Sequence, residues 1–221
     1  MDQALVFHDV VLDESTAPLS LAVPACALVA LITSRQDESD RLVRLMLGLT
    51  KPGAGSVVTL GEDVAAASEK DLNRLRRLVA VVHPNGGLVS NLKVWENLVL
   101  PLEYHSSLPP AEIEARGLAS LRRVGYPGGL MELPGHLSLY ERRLIGLARA
   151  MLTEPRLILY SAILAGLRAS ESSAIISTLL EFHREDPQRT TLFITPNQEL
   201  IAGIPFDSRI FLNGSAHDKR G

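Results

Sequence analysis

Residues 27–33 read Ala-Leu-Val-Ala-Leu-Ile-Thr, a run that is almost wholly apolar. Such a run is typical of a strand that is buried on both faces, as the strands of parallel sheets are. Residues 156–160 and 190–194 have the same character, and helix-like segments stand between and beside them. Strands that alternate with helices predict an α/β fold in which helices cover a parallel sheet core.

Two regions lie outside this alternation. Residues 4–11 and 18–24 predict antiparallel strands, which makes the β structure mixed and gives the fold an N-terminal antiparallel part. Residues 93–125 look helical, and the block around them has no strong strand signal, which predicts a helical lobe beside the sheet. We therefore expect one domain over residues 1–221, with a core at 1–84 and 146–221 and a lobe at about 85–145.

The composition excludes several classes of function. The chain has 22 Lys and Arg against 25 Asp and Glu, a net charge of −3, which argues against nucleic acid as a partner. A single cysteine, Cys26, excludes an internal disulfide, and the six histidines show no metal-binding spacing. The longest apolar stretch, residues 19–33, is shorter than the roughly 20 residues of a bilayer helix and contains Pro24. These features predict a cytoplasmic protein without a metal site.

Four further segments, taken in order with the strands, resemble the ATP-binding subunit of ABC transporters. They are 42–56 (Leu-Val-Arg-Leu-Met-Leu-Gly-Leu-Thr-Lys-Pro-Gly-Ala-Gly-Ser), 92–102 (Leu-Lys-Val-Trp-Glu-Asn-Leu-Val-Leu-Pro-Leu), 147–152 (Leu-Ala-Arg-Ala-Met-Leu) and 155–160 (Pro-Arg-Leu-Ile-Leu-Tyr). The resemblance covers nearly the whole chain and implies an ABC-ATPase-like fold. The sequence of residues 92–102 is most similar to that of the lipid-trafficking branch of the family, the toluene-tolerance or Mce-associated proteins.

The motifs that bind and hydrolyse ATP in that family are degenerate here. The phosphate loop of the family corresponds to positions that here hold Thr33, Gln36, Glu38, Ser39 and Asp40. The Gln loop corresponds to Pro84, the signature to Ser138, Leu139 and Tyr140, and the Walker B pair to Ser161 and Ala162. The D-loop corresponds to Arg168, and the switch His corresponds to Pro196. A phosphate loop needs glycines and a lysine, and the acidic side chains at 38 and 40 would repel phosphate. Hydrolysis depends on positioning and electrostatic stabilisation, so we expect no catalytic residue, no ATP or Mg²⁺ cofactor and no ATPase activity. Ser138 and Glu141 instead have the spacing of a helix capping box.

Two surfaces are predicted to bind partners. The resemblance implies a groove for a coupling helix of a membrane permease, formed from His83, Pro84, Leu88, Trp95, Leu98, Leu100 and Leu102. It also implies a homo- or heterodimer across the face that carries Arg35, Asp37, Glu38, Asp40, Leu139, Tyr140 and Arg168. The pair Arg142-Arg143 is interpreted as a solvated helix face.

These expectations combine into one leading hypothesis and two alternatives. The leading hypothesis is a pseudo-ATPase, a structural or regulatory subunit of a lipid transport complex on the cytoplasmic face of the inner membrane. The first alternative is an ATP-binding subunit that keeps residual nucleotide affinity and works with a competent partner. The second is a free cytosolic interaction domain.

Overall fold

The computed structural model describes residues 2–12, 17–105 and 108–212. The strands are β1 (Gln3–Val11), β2 (Leu19–Pro24), β3 (Leu28–Ile32), β4 (Ala54–Thr59), β5 (Glu62–Asp63), β6 (Val79–Val82), β7 (Leu157–Ser161), β8 (Thr190–Thr195) and β9 (Ser208–Phe211). The helices are α1 (Gln36–Met46), α2 (Glu69–Arg76), α3 (Val94–His105), α4 (Pro110–Arg123), α5 (Leu139–Leu152) and α6 (Ala169–Glu185). Two short 3₁₀ helices span Pro134–His136 and Gln198–Ile201.

The strands form two sheets of different type. β2, β1, β4 and β5 lie side by side in an antiparallel sheet of four strands. The five-stranded sheet has the order β6-β7-β8-β3-β9, and all of its neighbours are parallel. Helices α3 and α4 form a lobe that packs on α5. The predicted fold class, mixed α/β with an antiparallel N-terminal part and a parallel core, is confirmed.

The parallel sheet separates two apolar cores. Ala30 and Ile32 of β3 belong to the core that contains the buried faces of α3, α5 and α6. Val29 and Leu31 of the same strand belong to the opposite core, with α1 and the antiparallel sheet. Since neighbouring residues of a strand face opposite sides, burial on both faces explains why this segment is apolar throughout.

Among the described residues, no helix is both long enough and apolar enough to cross a bilayer.

Candidate functional site

The candidate site lies at the edge where the parallel strands end. β3, β6, β7 and β8 run in the same direction, so the residues that follow them meet at one edge of the sheet. The Thr33 N–H donates to the Thr195 carbonyl at 3.1 Å. The Gln36 side chain donates to Ser161 Oγ at the end of β7, at 3.2 Å. We call this region the C-terminal edge, and it brings together the sequence-predicted positions of the loops after these strands.

The loop between β3 and α1 satisfies its polar groups internally. Thr33 and Ser39, both buried, share a hydrogen bond of 2.8 Å between their hydroxyl oxygens. The Ser34 N–H donates to a carboxylate oxygen of Glu38 at 2.6 Å. Gln36 donates to Asp40 at 2.9 Å. A helix N-terminus attracts negative charge, and here the carboxylate of Glu38 supplies it.

The start of α5 is closed by its own capping box, as the sequence predicted. Ser138 Oγ accepts the Glu141 N–H at 3.2 Å, and Glu141 accepts the Ser138 N–H at 2.8 Å. Hydrogen bonding by Ser138 to the ionised carboxylate lowers the pKa of Glu141. Leu139 and Tyr140 follow, both half-buried, and Tyr140 packs against the apolar core. Burial raises the pKa of the Tyr140 hydroxyl.

The remaining predicted positions of the C-terminal edge differ in exposure. Ser161 is fully buried, and Ala162 is buried with a positive φ of 42°. Pro196 is half-buried after β8. Arg168 is exposed at the start of α6, where its N–H donates to Glu171 at 2.9 Å.

Arg143 connects three parts of the site, and sequence reasoning missed it. Its Nε donates to the Pro84 carbonyl and its Nη2 to the Ala165 carbonyl, each at 2.6 Å. The side chain is 2% exposed, so its assignment to a solvated helix face is wrong. A signal was present, because Arg143 lies one helical turn before the apolar Leu147 on the same face of α5.

The charge of Arg143 is held in an apolar setting. Burial, with a smaller contribution from the Arg142 charge, lowers the pKa of Arg143 to about 10. Arg143 therefore stays protonated at neutral pH. Its Nη1 is buried without a hydrogen-bond partner among the described residues. The guanidinium thus joins α5 to the loops that follow β6 and β7.

The loop after β6 packs tightly on α5. Arg149 Nη2 donates to the Gly87 carbonyl at 2.8 Å and more weakly to the Gly86 carbonyl at 3.3 Å. Gly86 has a φ of +83°, and a Cβ there would lie 2.1 Å from the Arg142 carbonyl oxygen. Only glycine fits both the left-handed backbone and this approach to the helix.

His83 and Pro84 line a cavity of about 620 Å³ between this loop and the end of α1. Leu47 and Leu49 lie on the α1 side, and Leu49 is 52% exposed. Burial lowers the pKa of His83, and the charge of Asp40 opposes that shift. This cavity is an open, partly apolar surface next to the C-terminal edge.

The other residues of the predicted groove do not line this cavity. Leu98 is fully buried in the lobe, and Leu88 packs against the same core. Trp95 lines a separate cavity of about 660 Å³ in the lobe, and Leu102 lines a third of about 520 Å³. Leu100 is half-buried on α3. The seven residues are thus divided between three neighbouring cavities and the core of the lobe.

Comparison with known proteins identifies the family. A family model described as ABC transporter matches residues 41–160, more than half of the chain. The chain belongs to the ABC transporter family. Methionine import ATP-binding protein MetN 1 of Rhodopseudomonas palustris is 33% identical over 84% of this chain and 49% of its own length. MetN of Caulobacter vibrioides is 32% identical over 84% of this chain and 55% of its own. The chain thus spans about half the length of the curated relatives it matches.

Solved structures support the same fold. The dimeric structure of MJ0796, a bacterial ABC transporter cassette, has a TM-score of 0.81 at 18% identity and covers 94% of both chains. The structure of cbiO1 from Clostridium perfringens, part of the ABC transporter complex cbiONQ, has a TM-score of 0.75 at 19% identity. It covers 91% of this chain and 81% of cbiO1.

Two predictions from the sequence are wrong in the light of these relatives. We expected no ATPase activity and no ATP or Mg²⁺ cofactor, whereas the relatives are named as ATP-binding import proteins and match most of this chain. The pseudo-ATPase interpretation and the lipid-trafficking branch are not supported either, since the relatives are named for methionine import.

Proposed function

We propose that this chain is the nucleotide-binding subunit of an ABC importer for a small solute such as an amino acid. The observation that carries the proposal is the similarity to methionine import ATP-binding proteins over 84% of the chain. The C-terminal edge supports it, because the loops after β3, β6, β7 and β8 lie at one edge of the parallel sheet and Arg143 of α5 binds two of them. Ligands of open α/β folds bind at that edge of the sheet.

In its described conformation, the β3–α1 loop does not fit a triphosphate. The Ser34 N–H, which could donate a hydrogen bond to a phosphate oxygen, already donates to Glu38 at 2.6 Å. Ser39 is turned towards Thr33 and buried, so it does not face the loop's solvent side. Nucleotide binding at this loop therefore requires the Glu38 carboxylate to leave Ser34.

Isothermal titration calorimetry with Mg-ATP tests the nucleotide part of the proposal. We expect wild-type protein to bind, and we expect Glu38→Gln to bind about fivefold more tightly or better. Repulsion between two like charges about 4 Å apart costs about 1 kcal/mol even in bulk water, and this energy corresponds to about a fivefold change in affinity. Glu114→Gln, an exposed change on α4 away from the edge, is the control. Absence of binding in all three proteins would overturn the nucleotide part of the proposal.

Docking to a membrane permease is the second part of the proposal. The cavity lined by His83, Pro84, Leu47 and Leu49 offers apolar and turn residues that suit a short helix from a permease. Leu88, Trp95 and Leu100 extend the proposed contact surface, while Leu98 and Leu102 support it from the core. Such docking would place the protein peripherally on the cytoplasmic face of the membrane.

Co-purification with a co-expressed importer permease tests the docking. Leu49→Asp should abolish co-purification, because it puts a charge on the apolar wall of the cavity. Leu133→Asp is the matched control, since Leu133 is also an exposed leucine but lies outside this cavity. Equal recovery of the permease with both variants would exclude this cavity as the docking site.

Dimerisation across the C-terminal edge completes the proposal. Arg35, Asp37 and Arg168 are exposed, and Leu139 and Tyr140 are half-buried. We propose that two such faces meet head to tail, in a homo- or heterodimer. Sedimentation velocity with and without Mg-ATP tests the homodimer. A monomer under both conditions at high protein concentration would contradict homodimerisation.

A further inference from the structure

The loop that joins β7 to α6, residues 162–168, carries part of the proposed dimer face. It begins at Ala162, whose N–H donates to the Ile194 carbonyl at 2.8 Å. It ends at Arg168, which is exposed and whose N–H donates to Glu171 at 2.9 Å. Both ends of the loop are therefore fixed, and the orientation of its middle residues decides how the loop faces a second subunit.

The middle of this loop has one hydrogen bond to another segment of the described chain. Within residues 163–167, the N–H groups of Ala165 and Leu167 donate to carbonyls of the same loop. The Ala165 carbonyl accepts from Arg143 Nη2 of α5 at 2.6 Å. Apolar packing is non-directional, so this hydrogen bond sets the orientation of the outer turn of the loop.

Arg143 also fixes this loop relative to the start of α5. The loop lies against α5, since a Cβ added at Gly166 would lie 3.5 Å from Leu139 Cδ2. Leu139 lies one helical turn before Arg143, on the same face of α5. Two parts of the proposed dimer face, the start of α5 and the loop 162–168, are therefore linked through Arg143.

Arg149 of the same helix makes a similar contact with a different loop. Its Nη2 donates to the Gly87 carbonyl at 2.8 Å, after β6, and no described hydrogen bond joins it to the loop 162–168. The loop after β6 is also held against α5 by its backbone, since a Cβ added at Gly146 would lie 2.3 Å from the Gly86 carbonyl oxygen. Loss of an arginine contact should therefore disturb the loop 162–168 more than the loop after β6.

We propose that Arg143 is a positioning residue for dimerisation, which holds the loop 162–168 so that Arg168 joins Leu139 and Tyr140 in one face for a second subunit. The inference rests on the head-to-tail dimer proposed above. The guanidinium reaches the Pro84 carbonyl with Nε and the Ala165 carbonyl with Nη2. Lysine cannot do the same, because a single ammonium group lacks the planar fork of arginine.

Sedimentation velocity with Mg-ATP compares the wild-type protein with Arg143→Lys and Arg149→Lys. We expect Arg143→Lys to weaken the dimer about tenfold, a factor that matches the loss of one hydrogen bond from a charged group. Arg149→Lys makes the same change on the same helix and should dimerise like the wild type. Circular dichroism checks that each variant is folded. If Arg143→Lys is unfolded, Arg143→Gln takes its place, because it removes the buried charge together with the fork.

Hydrogen exchange of backbone amides, measured without nucleotide, gives a second readout that is local to the loop. Arg143→Lys should speed exchange at Ala165 and Leu167 about tenfold, because their loop loses its hydrogen bond to α5. Exchange in the strands of the parallel sheet should change no more than it does in Arg149→Lys. A general loss of stability would instead speed exchange in both regions.

The possible outcomes separate this inference from the dimer on which it rests. A dimer of wild-type strength in the Arg143 variant, or an equal weakening by both lysine substitutions, would overturn the inference and leave the proposed dimer standing. Unchanged exchange in the loop 162–168 would overturn it as well. A wild-type protein that stays monomeric with Mg-ATP at high concentration would refute the proposed dimer, and this inference with it.

Discussion

Replacing Arg143 with methionine is the perturbation that most directly probes how the site is held together. The substitution keeps an unbranched side chain of similar length but removes both donors. The carbonyl oxygens of Pro84 and Ala165, each now 2.6 Å from the guanidinium, lose these partners inside the protein. Because Arg143 is only 2% exposed, water cannot easily replace it.

The size of the effect follows from these two carbonyls. Leaving a buried polar group unpaired costs about 1–3 kcal/mol, so the two together cost about 2–6 kcal/mol. Removal of a buried charge whose Nη1 has no described partner offsets part of this cost. We expect a net loss of about 3 kcal/mol in the free energy of unfolding. In a protein of this size that lowers the melting temperature by about 6–12 °C.

Urea unfolding followed by circular dichroism measures the loss. The midpoint should fall while the slope with denaturant stays the same, which identifies a change in stability of the native state. Arg122→Met is the control, an exposed arginine whose substitution should change stability by no more than about 0.5 kcal/mol. If Arg143→Met lost no more stability than this control, the inference that Arg143 joins α5 to the two loops would be wrong.

Three further predictions test other parts of the structure. Gly86→Ala should cost about 2–4 kcal/mol of unfolding free energy, since its Cβ would lie 2.1 Å from a carbonyl oxygen at φ +83°. Gly135→Ala, with nothing within 4 Å, should be nearly neutral in the same denaturation assay. Ser138→Ala should cost about 1 kcal/mol by removing the α5 cap, and an unchanged melting temperature would contradict this. Burial lowers the pKa of His83 below 6.5, so its contribution to stability is present above pH 6.5 and is lost as pH falls through the folded-state pKa. His83→Gln should therefore flatten the loss of stability on acidification, and parallel pH profiles of unfolding free energy would count against it.

The local features of this fold were readable from the chain itself. The apolar run at 27–33 predicted a strand buried on both faces, because a side-chain period of two puts alternate residues into two cores. The capping box of Ser138 and Glu141 was predicted correctly as well, since its partners lie three residues apart. Hydrophobic periodicity and helix caps depend on residues that are close neighbours in the sequence.

The candidate site depended on contacts that sequence spacing does not encode. Arg143 reaches partners 59 and 22 residues away, and only the packing of α5 against two loops decides that it is buried. Residues of the predicted groove, such as His83 and Trp95, lie on separate cavities, and Leu98 of α3 is buried in the core.

The sequence by itself therefore determined the order of strands and helices, since hydrophobic periodicity and caps are local properties of the chain. The tertiary structure alone decided that Arg143 joins α5 to the loops after β6 and β7. The physical reason is that the energy of a charged side chain depends on its burial and its partners, which exist only once distant segments pack together.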